Sequence, residues 1–258
     1  MTTTRQPQPT EDESRERARR LGLWGLLTHW EEYEDSPWLK KVLLHEEEER
    51  GRRSLERRLR RAKIGRFKPM ADFDWSWPKE IDREQVEELF RLEFLTEAGN
   101  VVLGGTNGLG KTMIAQNLAH LAILRGHTVR FVNASALLND LAAQDTGSAL
   151  TRTLARYVKP QLLVIDEVGY LGSTARHADL LFQLISLRHE ERSTVITTNK
   201  PFSEWNRVFP SAGCILSLVD RIIHRSEVVE IKGESYRLKE AQERKALRAK
   251  DRKGRSKR

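Results

Sequence analysis

Three short stretches of this 258-residue chain bring together residue types suited to phosphate chemistry. The first, Gly105-Thr106-Asn107-Gly108-Leu109-Gly110-Lys111-Thr112, fits the pattern G-x-x-x-x-G-K-[ST]. Its glycines accept positive φ and carry no Cβ, so successive backbone N–H groups can turn inward around a phosphate, and a following helix adds its positive N-terminal end. Lys111 supplies a mobile positive charge for the β and γ phosphates of ATP, and the Thr112 hydroxyl is placed to ligate Mg²⁺. The second stretch, Leu162-Leu163-Val164-Ile165-Asp166-Glu167, is an apolar run closed by two acids. Asp166 would hold Mg²⁺ through water and Glu167 would polarise the water that attacks. The third, Thr197-Thr198-Asn199, ends another apolar run with a carboxamide able to sit beside the γ-phosphate and orient the nucleophile. Each has a blander reading: an incidental glycine turn, solvated acids, a strand cap. The order of strand, glycine loop, helix, second strand and acids over the 55 positions from Lys111 to Asp166 favours the chemical one.

These residues need a scaffold, and the pattern after Gly99 is strand then helix, repeated. Strands are expected at Val101 to Gly104, Val129 to Asn133, Leu162 to Asp166, Thr194 to Thr198 and Val228 to Ile231. The middle three are short and rich in β-branched residues, as in strands covered on both faces. Helices are expected at Lys111 to Arg125, Ser135 to Ala143, Ser148 to Tyr157, Ala178 to Glu190 and Ala212 to Arg225. The alternation implies an α/β domain built on a central parallel sheet flanked by helices. In an ATPase of the additional-strand type the strand ending at Asn199 lies between the phosphate-loop strand and the acid-bearing strand, and we place it there. Upstream, Asp82 reads as a helix N-cap with Gln85 reaching back, and the helix is expected to run past Leu92 to Leu95 and stop at Gly99.

The N-terminal quarter is different. Residues 1–12 are polar with two prolines and read as a disordered tail. A small all-α domain is expected over 13–66: Ser36 as N-cap before Pro37, an apolar stripe through Leu55, Leu59 and Ala62, Gly51 as a weak point, and Glu46–Arg50 and Glu48–Arg52 pairs one turn apart. Residues 67–81, aromatic and proline-containing, read as a linker held by its own Phe and Trp side chains. The ATPase domain then spans 82–238, and 239–258 is a basic, disordered tail. Trp24, Trp30, Trp38, Trp75 and Trp77 are expected to be packing residues.

A net charge of +8 hides an uneven distribution. Between positions 50 and 68 lie ten cations, Arg50, Arg52, Arg53, Arg57, Arg58, Arg60, Arg61, Lys63, Arg66 and Lys68, against Glu56 alone. The last twenty residues hold ten more against three acids, so the remaining body is acidic. Two basic patches on an acidic body suit a polyanion, and with no base-reading motif the expected contact is to the backbone of double-stranded DNA with little sequence preference. A solvated charged helix is the alternative; the apolar stripe is too narrow for a membrane anchor. Nothing in the sequence resembles a transmembrane span or a secretory signal, so a cytosolic protein is expected. The single cysteine, Cys214, reads as a filler, and the seven histidines show no metal-ligand spacing.

The segments GGTNGLGKT, LLVIDEVGYL, ITTNKPFSEW, LVDRIIHRSEVVEIKGESYRLKE and ERRLRRAKIGRFKP resemble the IstB family, ATP-dependent helper proteins of bacterial insertion sequences, over about residues 16 to 242. The resemblance implies an AAA+ domain related to helicase loaders of the DnaC type, preceded by a helical domain. It implies assembly on DNA with ATP, with a cognate transposase as partner, in a homo-oligomer whose ATP sites lie at subunit interfaces. By the same resemblance Arg221 is the finger that reaches a neighbouring subunit's γ-phosphate, with Arg225 as the alternative and a salt bridge to Asp220 or Glu227 as the plain reading. Arg237 is a sensor candidate, although the helical lid of many AAA+ proteins is not expected after it. Two other functions stay open: a replicative helicase loader, and an ATP-gated DNA-binding scaffold that does not hydrolyse.

Overall fold

The structure, a computed structural model, describes residues 11–169, 174–209, 213–242 and 244–245. It resolves two compact units that divide between Arg57 and Arg58. Most of the basic tail and residues 1–10 lie outside the described residues.

The first unit is helical: α1 (Glu11–Arg20), α2 (Trp24–Thr28), α3 (Trp30–Tyr33) and the greater part of α4 (Leu39–Ala62). Helix α1 thus begins inside the stretch read as a tail. Ala18, Leu21, Trp30, Leu39 and Leu43 form the core, with Leu23, Leu26 and Leu27 packed against it. Arg17 and Arg20 both reach Glu47, tying α1 to α4. Helix α4 starts at Leu39 rather than Pro37, after a turn in which the Leu39 amide donates to the Ser36 carbonyl, and it runs through Gly51 unbroken. So small a unit encloses Trp30 but leaves Trp24 70% and Trp38 49% exposed, against the expectation that both are packed.

The second unit holds α5 (Arg83–Leu89), β1 (Asn100–Gly105), α6 (Lys111–Leu124), β2 (Val129–Asn133), α7 (Ala134–Ala142), α8 (Gly147–Val158), β3 (Leu162–Val168), α9 (Ala175–Arg188), β4 (Ser193–Thr198), α10 (Trp205–Val208), α11 (Ile215–Ile223) and β5 (Ser226–Ile231). The five strands are parallel in the order β2-β3-β4-β1-β5. The strand ending at Asn199 therefore lies between the phosphate-loop strand and the acid-bearing strand, as expected. Side-chain alternation puts Val102, Leu163, Ile165 and Ile196 into one core with α7, α8, α9 and α11. The intervening Val101, Leu103, Leu162, Val164 and Val195 are equally buried, and α6 packs across β1 to β4. Both faces are covered, which accounts for the unbroken apolar runs.

One helix departs from its reading. Asp82 does cap α5 by accepting from the Gln85 amide, but the Gln85 side chain donates to Glu227 instead of reaching back. The helix ends at Leu89, Leu92 turns left-handed at φ +64°, and Glu93–Leu95 forms a single 3₁₀ turn. At 100° per residue one continuous helix would put Leu92 and Phe94 on opposite sides; the break lets both be buried.

Arg188, at the end of α9, is almost wholly buried with no carboxylate beside it among the described residues. Its guanidinium donates to the carbonyls of Tyr157, Val158 and Pro160 at 2.9 Å each, to those of Gln161 and Ser193, and to Thr194 Oγ1. It thereby satisfies the open C-terminal carbonyls of α8 and adds a cation at the negative end of that helix. Arg188→Met should orphan these carbonyls and lower the unfolding free energy by at least about 2 kcal/mol in urea denaturation; a change within experimental error would show that water replaces the guanidinium.

Candidate nucleotide site

Strand β1 delivers the chain into the glycine loop and α6 carries it away. Gly105 sits at φ +137° with the Ile231 carbonyl oxygen 2.1 Å from where a Cβ would stand, and Gly110 sits at φ +88° with Phe73 Cε2 2.5 Å from its Cβ position. A side chain at either would push β5 or Phe73 off the loop. Lys111, buried at the first turn of α6, folds back so that Nζ donates to the carbonyls of Gly105 and Thr106 at 2.6 Å each. Burial, and next the Arg237 charge, bring its ammonium down to about 8 against the opposing pull of Asp166 and Glu167. Thr112 Oγ1 donates to Asp166 Oδ1 at 3.0 Å, and Thr197 Oγ1 donates to the same oxygen at 2.6 Å. One carboxylate oxygen thus joins α6, β3 and β4.

In a regular strand Asp166 and Glu167 would point to opposite faces. The β3–β4 register slips between Ile165↔Ile196 and Val168↔Thr198, so that three β3 residues span two on β4, and Glu167 takes φ +63°. This bulge brings Glu167 to the cavity that the glycine loop lines. Its amide donates to Thr197 Oγ1 at 2.8 Å and its Oε2 accepts from Asn133 Nδ2 at 2.9 Å. Asn133, whose Oδ1 also caps α7 by accepting from the Ser135 amide, was missed in the sequence; only pairing of β2 with β3, Asn133 beside Asp166, reveals it. Asn199 lines the same cavity, and its buried Oδ1 finds no donor among the described residues.

The cavity, of about 530 Å³, extends from Thr106's neighbours Asn107 to Thr112 toward Phe67, Phe73, Trp77 and Pro78. The segment read as a linker is therefore a wall of the site. Met70 donates its amide to Asn117 Oδ1, Trp77 Nε1 donates to the Glu234 carbonyl at 2.8 Å, and Glu80 bridges to Lys232. Its aromatics upstream of a phosphate loop were the available signal. The region after β5 closes over the loop: the Tyr236 amide donates to the Gly108 carbonyl, Thr106 Oγ1 donates to the Gly233 carbonyl, and Arg237 lines the cavity. Arg66 and Lys68, grouped in sequence with the DNA-binding cations, line it too.

Other candidates lie elsewhere. Arg221 is half-buried on α11, its guanidinium 4.6 Å above the Phe182 ring and donating to Ser186 Oγ, both on α9. Among the described residues neither Asp220 nor Glu227 pairs with it. Arg225 is exposed at φ +54°. Neither is among the described residues that line the cavity. In the basic segment Arg50 pairs with Glu46, while Arg52 takes Glu49 and Glu56 and Arg53 takes Glu49, so the expected Glu48–Arg52 pair is replaced. Arg58 reaches the Ile123 carbonyl. Arg57, Arg60, Arg61 and Lys63 are exposed and form no ion pair with a described residue.

A nucleoside triphosphate with Mg²⁺ fits these groups. Lys111 has only carbonyls to bond, Asn199 has an unused acceptor facing the cavity, and Thr112 with Asp166 forms a hydroxyl and carboxylate pair suited to a hard cation. Residues 24–244 match the family model described as IstB-like ATP binding protein. The chain is 34% identical over 205 residues to a protein of Geobacillus stearothermophilus described as an ATP-binding protein of insertion sequence IS5376, covering 80% of this chain and 82% of that one. It is 37% identical over 191 residues to the corresponding protein of insertion sequence IS21 from Pseudomonas aeruginosa, covering 74% and 72%. In fold it is similar to DnaI, with a TM-score of 0.56 at 18% identity over 66% of this chain and 93% of that one. It is also similar to the replication initiator DnaA bound to AMPPCP and single-stranded DNA, with a TM-score of 0.51 at 18% identity over 63% and 52%. The five-stranded parallel sheet with these neighbours is an AAA+ P-loop fold.

Phosphates arriving at Lys111 would replace its carbonyl partners by anions and raise its pKa, so binding takes up a proton above pH 8. Nucleotide affinity should accordingly hold up to about pH 8 and then fall, by up to about tenfold per pH unit. Fluorescent-nucleotide titration between about pH 7 and pH 9.5 measures this, and a flat profile would mean that Lys111 is fully protonated in the empty site.

Proposed function

We propose, from the premise that this chain belongs to the family of IstB-like ATP binding proteins, that it hydrolyses ATP at the loop between β1 and α6 and uses the nucleotide cycle to assemble on double-stranded DNA and engage a transposase there. The observation that carries hydrolysis is the bulge at Glu167, which turns a second carboxylate into the cavity beside the Asp166 anchor, with Asn133 holding it in place. Glu167 would take the proton from the attacking water, and the unused Oδ1 of Asn199 would accept a hydrogen bond from that water and aim it. Mg²⁺, held by Thr112 with Asp166 behind it, would draw charge from the β and γ phosphates. Lys111 and Arg237 would meet the same phosphates, while Phe73, Trp77 and Pro78 offer apolar surface for the base.

Arg221 lies away from its own cavity, which supports a role toward a second copy. On the face of α11 turned away from Arg221, Leu216 is 80% and Ile223 44% exposed, an apolar edge that another subunit would cover. For DNA, the described ion pairs narrow the field. Arg50, Arg52 and Arg53 are engaged by carboxylates, whereas Arg57, Arg60, Arg61 and Lys63 offer unpaired charge to phosphates. The insertion-sequence relatives support a transposase as the protein partner.

Glu167→Gln should reduce ATP turnover by about 10²- to 10⁴-fold with ATP binding retained, and Arg221→Ala should reduce turnover without weakening ATP binding to isolated subunits. Mixed together, the two variants should regain activity, because one interface then combines an intact Glu167 with an intact Arg221. Turnover at background in the parent, with nothing for Glu167→Gln to remove, would point to a scaffold that only binds ATP; a real turnover unchanged by Glu167→Gln would remove Glu167 as the base, and no recovery on mixing would place Arg221 outside the shared site.

Duplex binding by the full chain should show a log–log salt slope near −4 if these four cations are the contacts, and nearer −9 if all ten are. Arg60→Gln with Arg61→Gln should lower it by about two. Pull-down against the transposase and a replicative helicase separates the partners: capture of the helicase alone would make this a helicase loader.

A further inference from the structure

Outside the phosphate site, the described residues bring together one more set of groups with metal-ligand chemistry: His189, Glu190 and His224. In sequence the two histidines are 35 positions apart and show no spacing. The fold joins them because α9 and α11 pack together and end alike. His189 caps α9 at φ −56°, ψ 127° and is followed by Glu190 at φ +59°; His224 caps α11 at φ −56°, ψ 120° and is followed by Arg225 at φ +54°. Matched turns project two imidazoles side by side, their ring centroids 5.3 Å apart and their planes inclined at 50°. Glu190 Oε1 lies 3.8 Å from His224 Nδ1, and one ligand atom from each of the three residues lies within 4.8 Å of the others.

Nitrogen and oxygen ligands about 2.0–2.2 Å from a tetrahedral ion are roughly 3.3 Å apart, so small side-chain rotations would close the set. Glu190 and His224 are each 52% exposed, which leaves room for that rotation and for an ion to enter. The C-terminal ends of two helices, both carrying partial negative charge, meet at this point, and the carboxylate adds its own. Two imidazoles with one carboxylate select a borderline divalent ion such as Zn²⁺ or Co²⁺ over Mg²⁺ or Ca²⁺, which demand oxygen ligands.

We propose that His189, Glu190 and His224 form a Zn²⁺-class site, completed by water, that clasps the C-terminal ends of α9 and α11. The contact between Arg221 and Ser186 lies three residues earlier on each helix, so the ion would tie the same two helices one turn further along. It would thereby stiffen the mount of Arg221.

The test is a titration of the full-length, chelator-stripped, nucleotide-free protein with Zn²⁺ against a chromophoric chelator, repeated with Co²⁺ to read tetrahedral visible bands. A background of Asp166→Asn keeps the phosphate site from contributing. The expected result is one Zn²⁺ per chain, not displaced by excess Mg²⁺, with affinity reduced at least about tenfold in His189→Ala and in His224→Ala. Zn²⁺ should raise the Tm of the parent and leave that of His224→Ala unmoved. Metal-free melts of each variant establish that it is folded, and His224→Gln serves as a second variant. Equal Zn²⁺ affinity in parent and histidine variants, or no binding by the parent at micromolar Zn²⁺, would overturn the proposal.

Discussion

Asp166 Oδ1 accepts two hydroxyls, from Thr112 at the head of α6 and from Thr197 on β4, and the site is organised around that oxygen. It fixes the phosphate-loop helix against the two central strands. Thr197 Oγ1, having given its proton to Asp166, accepts the Glu167 amide and so holds the bulge that turns Glu167 into the cavity. Asn133 completes the arrangement from β2, and Asn199 stands one residue beyond the end of β4. Four parallel strands thus deliver their C-terminal ends to one crevice, where open α/β sheets place ligands.

The parts legible in the sequence are those in which one local rule decides. The glycine loop is set by positive φ and close approach and the central strands by burial on both faces, whereas the place of β4 between β1 and β3 follows from the additional-strand type of ATPase and from no local rule. What escaped depends on neighbours distant in the chain. Whether Leu92 continues a helix is decided by the burial of both Leu92 and Phe94, which periodicity cannot register. Residues 67–81 look like a linker until Phe73 is seen against Gly110 and Trp77 against Glu234. Local charge rules foresaw the Glu46–Arg50 pair but not that Glu49 would hold both Arg52 and Arg53, which draws its carboxyl down to about 2. Asn133 comes beside Glu167, and His189 beside His224, only after the sheet and helices are assembled.

The proposed work falls to two sets of residues. The sheet domain carries every group with a reason to meet a triphosphate, and the exposed cations around the end of α4 carry the charge suited to a duplex. Arg221 fits a link between copies: it is mounted on α9 through Ser186 and Phe182, on a helix whose opposite face leaves Leu216 and Ile223 exposed. Among the described residues no helix is long and apolar enough to cross a membrane.

The most direct test of the central claim is a structure of the full chain with Mg²⁺ and a non-hydrolysable ATP analogue. The account predicts that Lys111 Nζ leaves the carbonyls of Gly105 and Thr106 for the β and γ phosphates, that Thr112 turns its hydroxyl oxygen to the metal, and that Asn199 Oδ1 gains a water beside the γ-phosphate. An analogue bound with Lys111 still on those carbonyls, or with Glu167 turned out of the cavity, would contradict it.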